Sequence, residues 1–384
     1  MAFAVFGMGV AALGPALPTL AEHTGSTLSR ISVVFTAAAA GYLLGVLLGG
    51  RLFDWLPGHW VLGAVLVLMA GMAALVPIAA SLWLLTLLFL FFGVAQGIVE
   101  VGGNALLLWV HTDHAGPFMN ALHFFFGVGA LLAPVGVALA TSTTGDVAWF
   151  YWLFALLVLP VVGLLLALPS PQRSGGRSGG QAVSGRAMGS TLPTSRPAPT
   201  TVLVALTALF FFLYAGVEHS FGGWIPSYAQ AMQMAGGSGA AYFASAFWAA
   251  ITAGRFLAIP ASARLKPQTI VAAALVGCLI SVAVVLLWPG QAWLLWVGTV
   301  GLGLSLAAIM PTTLALVGRR IGVTSQTTAW TFVGAGVGKM SMPWTVGQLF
   351  DSVGPQSLFV VVGLLLAAAL GLFAALNGVK TAPR

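Results

Sequence analysis

The sequence predicts an all-α membrane protein with twelve transmembrane helices in two six-helix, pseudo-symmetric bundles. Three observations carry this expectation. First, 5% of the 384 residues are charged and 59% are apolar, whereas a soluble domain carries about 25% charge. Second, apolar runs of the roughly 20 residues that a membrane helix needs recur about twelve times. Third, short motifs of the first half return in the second half in the same order. So few charges cannot give a folded chain of this length a soluble surface, which excludes a water-soluble enzyme. So much apolar surface excludes intrinsic disorder.

Cutting at charged, Pro-rich and Gly-rich breaks places spans 1 to 6 near 3–21, 29–53, 60–80, 82–108, 118–141 and 148–169. Spans 7 to 12 fall near 202–231, 240–262, 268–288, 291–317, 325–349 and 356–377. The long polar stretch is 170–200, rich in Gly, Ser and Pro with four Arg, a composition that makes flexible linkers. The expected domains are therefore an N-terminal bundle (1–169), a cytoplasmic linker (170–200) and a C-terminal bundle (201–384).

The net charge of +7 records topology rather than a nucleic-acid footprint. Arg51, Arg173, Arg177, Arg186, Arg196, Arg264, Lys266, Arg319, Arg320, Lys380 and Arg384 all fall on one side of the twelve-span arrangement. Arg30 alone falls on the other, near Glu22, Asp146 and Asp351. Basic loops stay inside, so the linker and both termini are expected in the cytoplasm, with the chain in a bacterial inner (plasma) membrane.

The halves look like copies. Gly127-Val-Gly129 followed by Pro134 in span 5 matches Gly336-Val-Gly338 followed by Pro343 in span 11, 209 residues on. Gly50-Arg51 pairs with Gly254-Arg255 at an offset of 204, and Gly9-Val10 of span 1 with Gly216-Val217 of span 7 at 207. A duplicated six-span unit has an even number of crossings, so both copies share one orientation.

Gly50-Arg-Leu-Phe-Asp54-Trp-Leu-Pro-Gly58 resembles the loop signature G-x-L-x-D-x-x-G of the major facilitator superfamily, with one extra residue before the last Gly. The resemblance implies that Asp54 caps a neighbouring helix end and, with Arg51, gates the cytoplasmic face. Glu100-Val-Gly-Gly-Asn104 and Asn120-Ala-Leu-His-Phe-Phe-Phe-Gly127 are similar to the E-x-x-x-N and N-x-x-x-x-F patterns of the fucose:proton symporter group. Tyr214-Ala-Gly-Val-Glu218-His-Ser-Phe-Gly-Gly-Trp224, with Phe247-Trp248 and Gly254-Arg255, is similar to spans 7 and 8 of the sodium-dependent glucose branch. That resemblance implies that Glu100 titrates and couples transport and that Asn120 contacts sugar. The group's second titrating acid, in its first helix, has no counterpart here.

Ionisable groups inside a span are costly and mark functional positions by default. Gln96, Glu100 and Asn104 follow at i, i+4 and i+8 and share a helix face that cannot look into lipid. The face serves either as a coupling and substrate site or as hydrogen-bonded glue between helices; span 10 offers no charged counterpart, which favours the first. Asn120 and His123 share a face of span 5, where amide and imidazole suit several hydroxyls; His123 equally fits a satisfied core position. Tyr214 and Glu218 share a face of span 7, with Trp224 near it and Trp248 on span 8 as stacking surfaces for a sugar ring. His219 points elsewhere. Glu218 is either a second coupling group or a hydrated gate at the outer mouth.

Arg255, after Gly254, is expected near the cytoplasmic end of span 8 as a gating or snorkelling group. Lys339 lies mid-span and needs an acidic partner or a watery cavity; Glu218 and Glu100 are the candidate acids. Enzyme chemistry lacks its parts: the chain has no phosphate-cradling loop, no H-E-x-x-H, one Cys and few carboxylates. No cofactor, metal or nucleic acid is expected.

The expected function is a monomeric secondary transporter in the lipid bilayer. It moves a small neutral solute, a monosaccharide, by rocking of two bundles coupled to a proton or sodium gradient. Alternatives are a multidrug or lipid-like exporter and a non-transporting sensor or scramblase.

Overall fold

The computed structural model describes residues 1–111, 115–171, 198–321 and 325–378, and among them every regular element is a helix. The linker residues 172–197 lie outside the described residues, with Arg173, Arg177, Arg186, Arg196, Lys380 and Arg384. The chain divides into two compact units, Met1–Gly185 and Arg186–Arg384.

The first unit holds α1 (Ala2–His23), a single turn α2 (Leu28–Ile31) running into α3 (Val33–Trp55), α4 (Gly58–Leu75), α5 (Leu82–Val110), α6 (Ala115–Thr144) and α7 (Ala148–Ala167). The second holds α8 (Ala198–Ala231), α9 (Gly237–Arg264), α10 (Pro267–Leu287), α11 (Ala292–Leu306), α12 (Ile309–Ile321), α13 (Ser325–Ser352) and α14 (Ser357–Gly378). Eleven helical segments among the described residues are long and apolar enough to cross a membrane. The twelfth, α13, has 28 residues, ample length for a crossing, but is made more polar by Thr, Gln, Lys339 and Asp351.

Span 10 is two helices. Pro311 has no N–H for the Ala307 carbonyl and crowds it, and the helix is interrupted at Ala307–Ala308. Its counterpart α5 runs unbroken for 29 residues.

Within each unit the helices meet through glycines, the usual device where lipid supplies no hydrophobic drive between helices. In the first, α3 packs on α5, α1 on α6 and α4 on α7; in the second, α9 packs on α11 and α8 on α13. A Cβ on Gly129 would overlap the Ala4 carbonyl oxygen, and one on Gly338 the Phe212 carbonyl oxygen. A Cβ on Gly45 would overlap the Val94 carbonyl oxygen, and one on Gly254 would lie 2.7 Å from the Leu304 carbonyl oxygen. The turns repeat too: Gly145 (φ 76°) before α7 and Gly354 (φ 116°) before α14 hold left-handed conformations that favour glycine. The members of each of these pairs stand 209 residues apart.

That register corrects one expectation. Gly254 is the counterpart of Gly45, not of Gly50, so Arg255 stands opposite Val46 rather than Arg51. A two-letter Gly-Arg match is too short to fix register, whereas backbone contact leaves no freedom. Arg255 accordingly sits more than two turns before its helix ends at Arg264, not at the end.

Candidate functional site

Two polar clusters interrupt the apolar interior, one in each unit. In the first, α5 carries Gln96, Glu100 and Asn104 one above the other. Neighbouring glycines show what this stripe faces. Gly97 lies against the Tyr42 carbonyl oxygen of α3, and Gly103 against the Phe3 ring of α1. The stripe thus runs along the seam between α1 and α3, as helical spacing requires.

Glu100 accepts a hydrogen bond at Oε2 from the Tyr42 hydroxyl. Asn104 Nδ2 donates to the backbone oxygen of Glu100 over 2.9 Å. Gln96 is 6% exposed, and among the described residues its Nε2 has no hydrogen-bond partner; neither has the buried Asn104 Oδ1. Buried polar atoms are normally bonded, so a donor and an acceptor left open beside a carboxylate form a prepared polar surface.

Asn120 and His123 are exposed on α6. The His123 ring meets Phe3 edge-on at 5.6 Å, so Phe3 bridges from His123 to Gly103 of α5.

In the second unit Tyr214 and Glu218 are both buried on α8. Tyr214 is within electrostatic reach of Glu218 and of Arg255 from α9. His219 Nδ1 lies 3.9 Å from Glu218 Oε2 and 3.2 Å from the Ala215 carbonyl oxygen. Lys339, half-buried on α13, is within electrostatic reach of His219. One carboxylate therefore shares this interior with a guanidinium, an amine and an imidazole.

At the far end of α3, Arg51 and Asp54 are exposed. The chain turns through Leu56 and Pro57 into α4 at Gly58, where the missing Cβ admits the Leu106 side chain. The start of α4 is tied to the segment after α7: His59 N donates to Ser170 Oγ over 3.1 Å, and His59 Nδ1 lies 3.2 Å from the Leu168 carbonyl oxygen.

The family description of the Major Facilitator Superfamily matches residues 1–338. The chain belongs to the major facilitator superfamily. It is 30% identical over 416 residues to sodium-dependent glucose transporter 1A of Mus musculus, covering 100% of this chain and 96% of the relative. It is 31% identical over 390 residues to sodium-dependent glucose transporter 1 of Xenopus laevis, covering 94% of this chain and 76% of that one. A solved structure of a bacterial homologue of the human lysosomal transporter Spinster aligns with a TM-score of 0.78 at 12% identity, covering 100% of this chain and 97% of that one. At that identity the likeness is one of fold alone.

As a major facilitator protein the chain is an integral membrane transporter for a small-molecule substrate. Two residues of its clusters were not foreseen in the sequence. Tyr42 was one of five tyrosines, and its place beside the Gly41 and Gly45 packing stripe was the available signal. His219 was assigned away from Glu218 by helical angle, yet adjacent long side chains can turn toward each other. Trp224 is fully buried, donates its indole N–H to the Pro343 carbonyl oxygen over 2.9 Å and packs on Phe350 at 5.1 Å. It ties α8 to α13. Trp248 is also buried, with its edge on Phe247.

Proposed function

We propose that this protein carries a neutral monosaccharide into the cell by alternating access, driven by a sodium gradient through Glu100. The carrying observation is the α5 stripe. Glu100 is half-buried with a single side-chain donor among the described residues, and a carboxylate within a membrane span is costly unless it gains a cation or proton during the cycle. The orphaned Gln96 donor and Asn104 acceptor on the same face complement a sugar hydroxyl, which both donates and accepts. Asn120 and His123 extend that capacity on α6.

Sodium is favoured over the proton by the names of the two glucose-transporting relatives, and by oxygen ligands of the kind hard cations prefer. Tyr214 and Glu218 form the second unit's polar contribution, with Arg255 and Lys339 as the charges whose pairing changes with access state. Arg51 and Asp54 act at the cytoplasmic gate. The distribution of bases supports placing the termini and residues 170–200 in the cytoplasm of a bacterial cell and the chain in the inner membrane, with residues 1–169 and 201–384 as the two moving bundles. It works as a monomer without a cofactor.

Uptake of labelled hexoses into proteoliposomes, with an imposed sodium gradient, an imposed pH gradient or neither, tests the reading. Sodium-driven accumulation of a hexose is the expected result. Expulsion of hydrophobic cations without hexose uptake would replace it with export, and movement of neither would favour a sensor.

A further inference from the structure

The reading above gives Tyr42 no task, yet among the described residues Tyr42 is the sole side-chain donor to the Glu100 carboxylate. Its position is not adjustable. Gly41 of α3 lies against the Leu90 carbonyl oxygen, and Gly97 of α5 against that of Tyr42 itself, so the two backbones touch within a turn of both side chains. The titratable groups on the helices packed against α5 are few. Among the described residues they are the Met1 amine opening α1, Glu22 and His23 ending it, Tyr42, Arg51 and Asp54 on α3, His59 opening α4 and His123 on α6. Of these, Tyr42 reaches the carboxylate.

Glu100 is half-buried, and a carboxylate that water reaches only in part gains from a proton, a cation or donated hydrogen bonds. A phenol supplies a bond without supplying a charge. A hydroxyl that turns away leaves the carboxylate oxygen free for a cation. The orphaned Asn104 Oδ1, one turn along the same face, offers a neutral oxygen.

We infer that Tyr42 is a positioning residue that holds the empty form of Glu100: its hydroxyl bonds the carboxylate when no coupling ion is present and gives up that oxygen when the ion loads. Tyr42 thereby sets how tightly the ion binds and how readily it leaves. The inference rests on the reading of Glu100 as the coupling acid. The second half lacks the device, because Gly93 lies against the backbone N of Tyr42 and its counterpart Gly303 against the backbone N of Ile251.

The test is Tyr42→Phe in proteoliposomes, which keeps the ring and removes the donor. Loss of a hydrogen bond to a charged group destabilises the empty form, so the half-saturating concentration of the driving cation should fall about ten-fold or more. This applies to sodium, or to protons if the pH gradient proves to be the driver. Maximal net uptake should fall as ion release slows, while counterflow with saturating cation on both sides persists. An unchanged half-saturation, with or without reduced thermal stability, assigns Tyr42 to packing and overturns the inference. A raised one makes Tyr42 an obligatory ion ligand and overturns it too. Glu100→Gln separates the two levels. If that variant still accumulates sugar, the coupling reading itself fails; if it is uncoupled while Tyr42→Phe shows no shift, only the Tyr42 inference falls.

Discussion

In the first half α3 crosses α5 over Gly41, Gly45, Gly93 and Gly97; in the second α9 crosses α11 over Gly254 and Gly303. The register is the same, yet what the crossings support differs. The first carries an unbroken α5 with Glu100 under the Tyr42 hydroxyl. In the second, Ile251 replaces the tyrosine, and the chain breaks at Ala307–Ala308, close to where Glu100 would stand. The second half keeps its charges elsewhere, on α8, α9 and α13. Duplication preserved the contacts that glycine alone permits and left the side chains facing the interior free to diverge. A symmetric scaffold thus carries an asymmetric set of charges, a single acid in one half and a mixed, cation-rich cluster in the other.

The largest effects should fall on what the halves share. Gly129→Leu and Gly338→Leu each drive a side chain into a backbone carbonyl that cannot retreat. Overpacking of this kind costs about 3 kcal/mol or more, and both variants should lose most folded, monodisperse protein in detergent. Gly71→Ala and Gly371→Ala, where a Cβ meets nothing within 4 Å, should not. Loss in one half and tolerance in the other would break the proposed equivalence.

Next come the positions where the halves differ. Glu100→Gln should abolish gradient-driven accumulation, at least ten-fold, while sparing counterflow. Met310→Gln, near the corresponding place in the broken span, should leave accumulation within about two-fold, since a polar group near a helix break meets freed backbone partners. Equal losses would assign coupling to both crossings.

Much of this was legible in the sequence, and what was not has a physical reason. Eleven of the twelve expected spans coincide within a few residues with helices long and apolar enough to cross a membrane, because bilayer thickness dictates a run of apolar side chains whatever their identity; the twelfth, α13, is a helix of the expected length but more polar. Glu100 was legible because a charge in such a run is an exception that few other causes explain. Tyr42 was not, because a tyrosine satisfies the hydropathy of a span and only the fold shows its hydroxyl meeting an acid. Trp224 was legible as an aromatic neighbour of Glu218 but not as the donor to the Pro343 carbonyl. An indole beside a carboxylate looks the same in sequence whether it stacks on a sugar or caps a proline's carbonyl.

The register correction yields a smaller, sharper test. If Arg51 and Arg255 were counterparts, Arg51→Gln and Arg255→Gln would have similar consequences. The structure places Arg51 exposed near a helix end and Arg255 beside Tyr214. Arg255→Gln should therefore lower the transport rate about ten-fold, with Lys339→Ala comparable, while Arg51→Gln changes it by less than about three-fold. Initial-rate uptake at matched protein levels measures all three. Lys339→Ala with unchanged rate and coupling would remove Lys339 from the mechanism.

The smallest effect belongs to Trp224, where two roles make opposite forecasts. As a tie between α8 and α13, its indole N–H satisfies the Pro343 carbonyl, an oxygen in a helix already disturbed by proline. Tryptophan to phenylalanine removes one neutral hydrogen bond and leaves that oxygen buried, a loss of about 1 kcal/mol or slightly more. Thermal unfolding in detergent should come a few degrees earlier, and half-saturation for sugar should stay where it was. A stacking surface would behave otherwise: phenylalanine keeps a ring, stability would hold, and sugar affinity would weaken. Measured together, the two quantities decide whether the second half's aromatic residues belong to its packing or to its substrate. They also decide whether sugar recognition, like the proposed coupling acid Glu100, is concentrated in the first half.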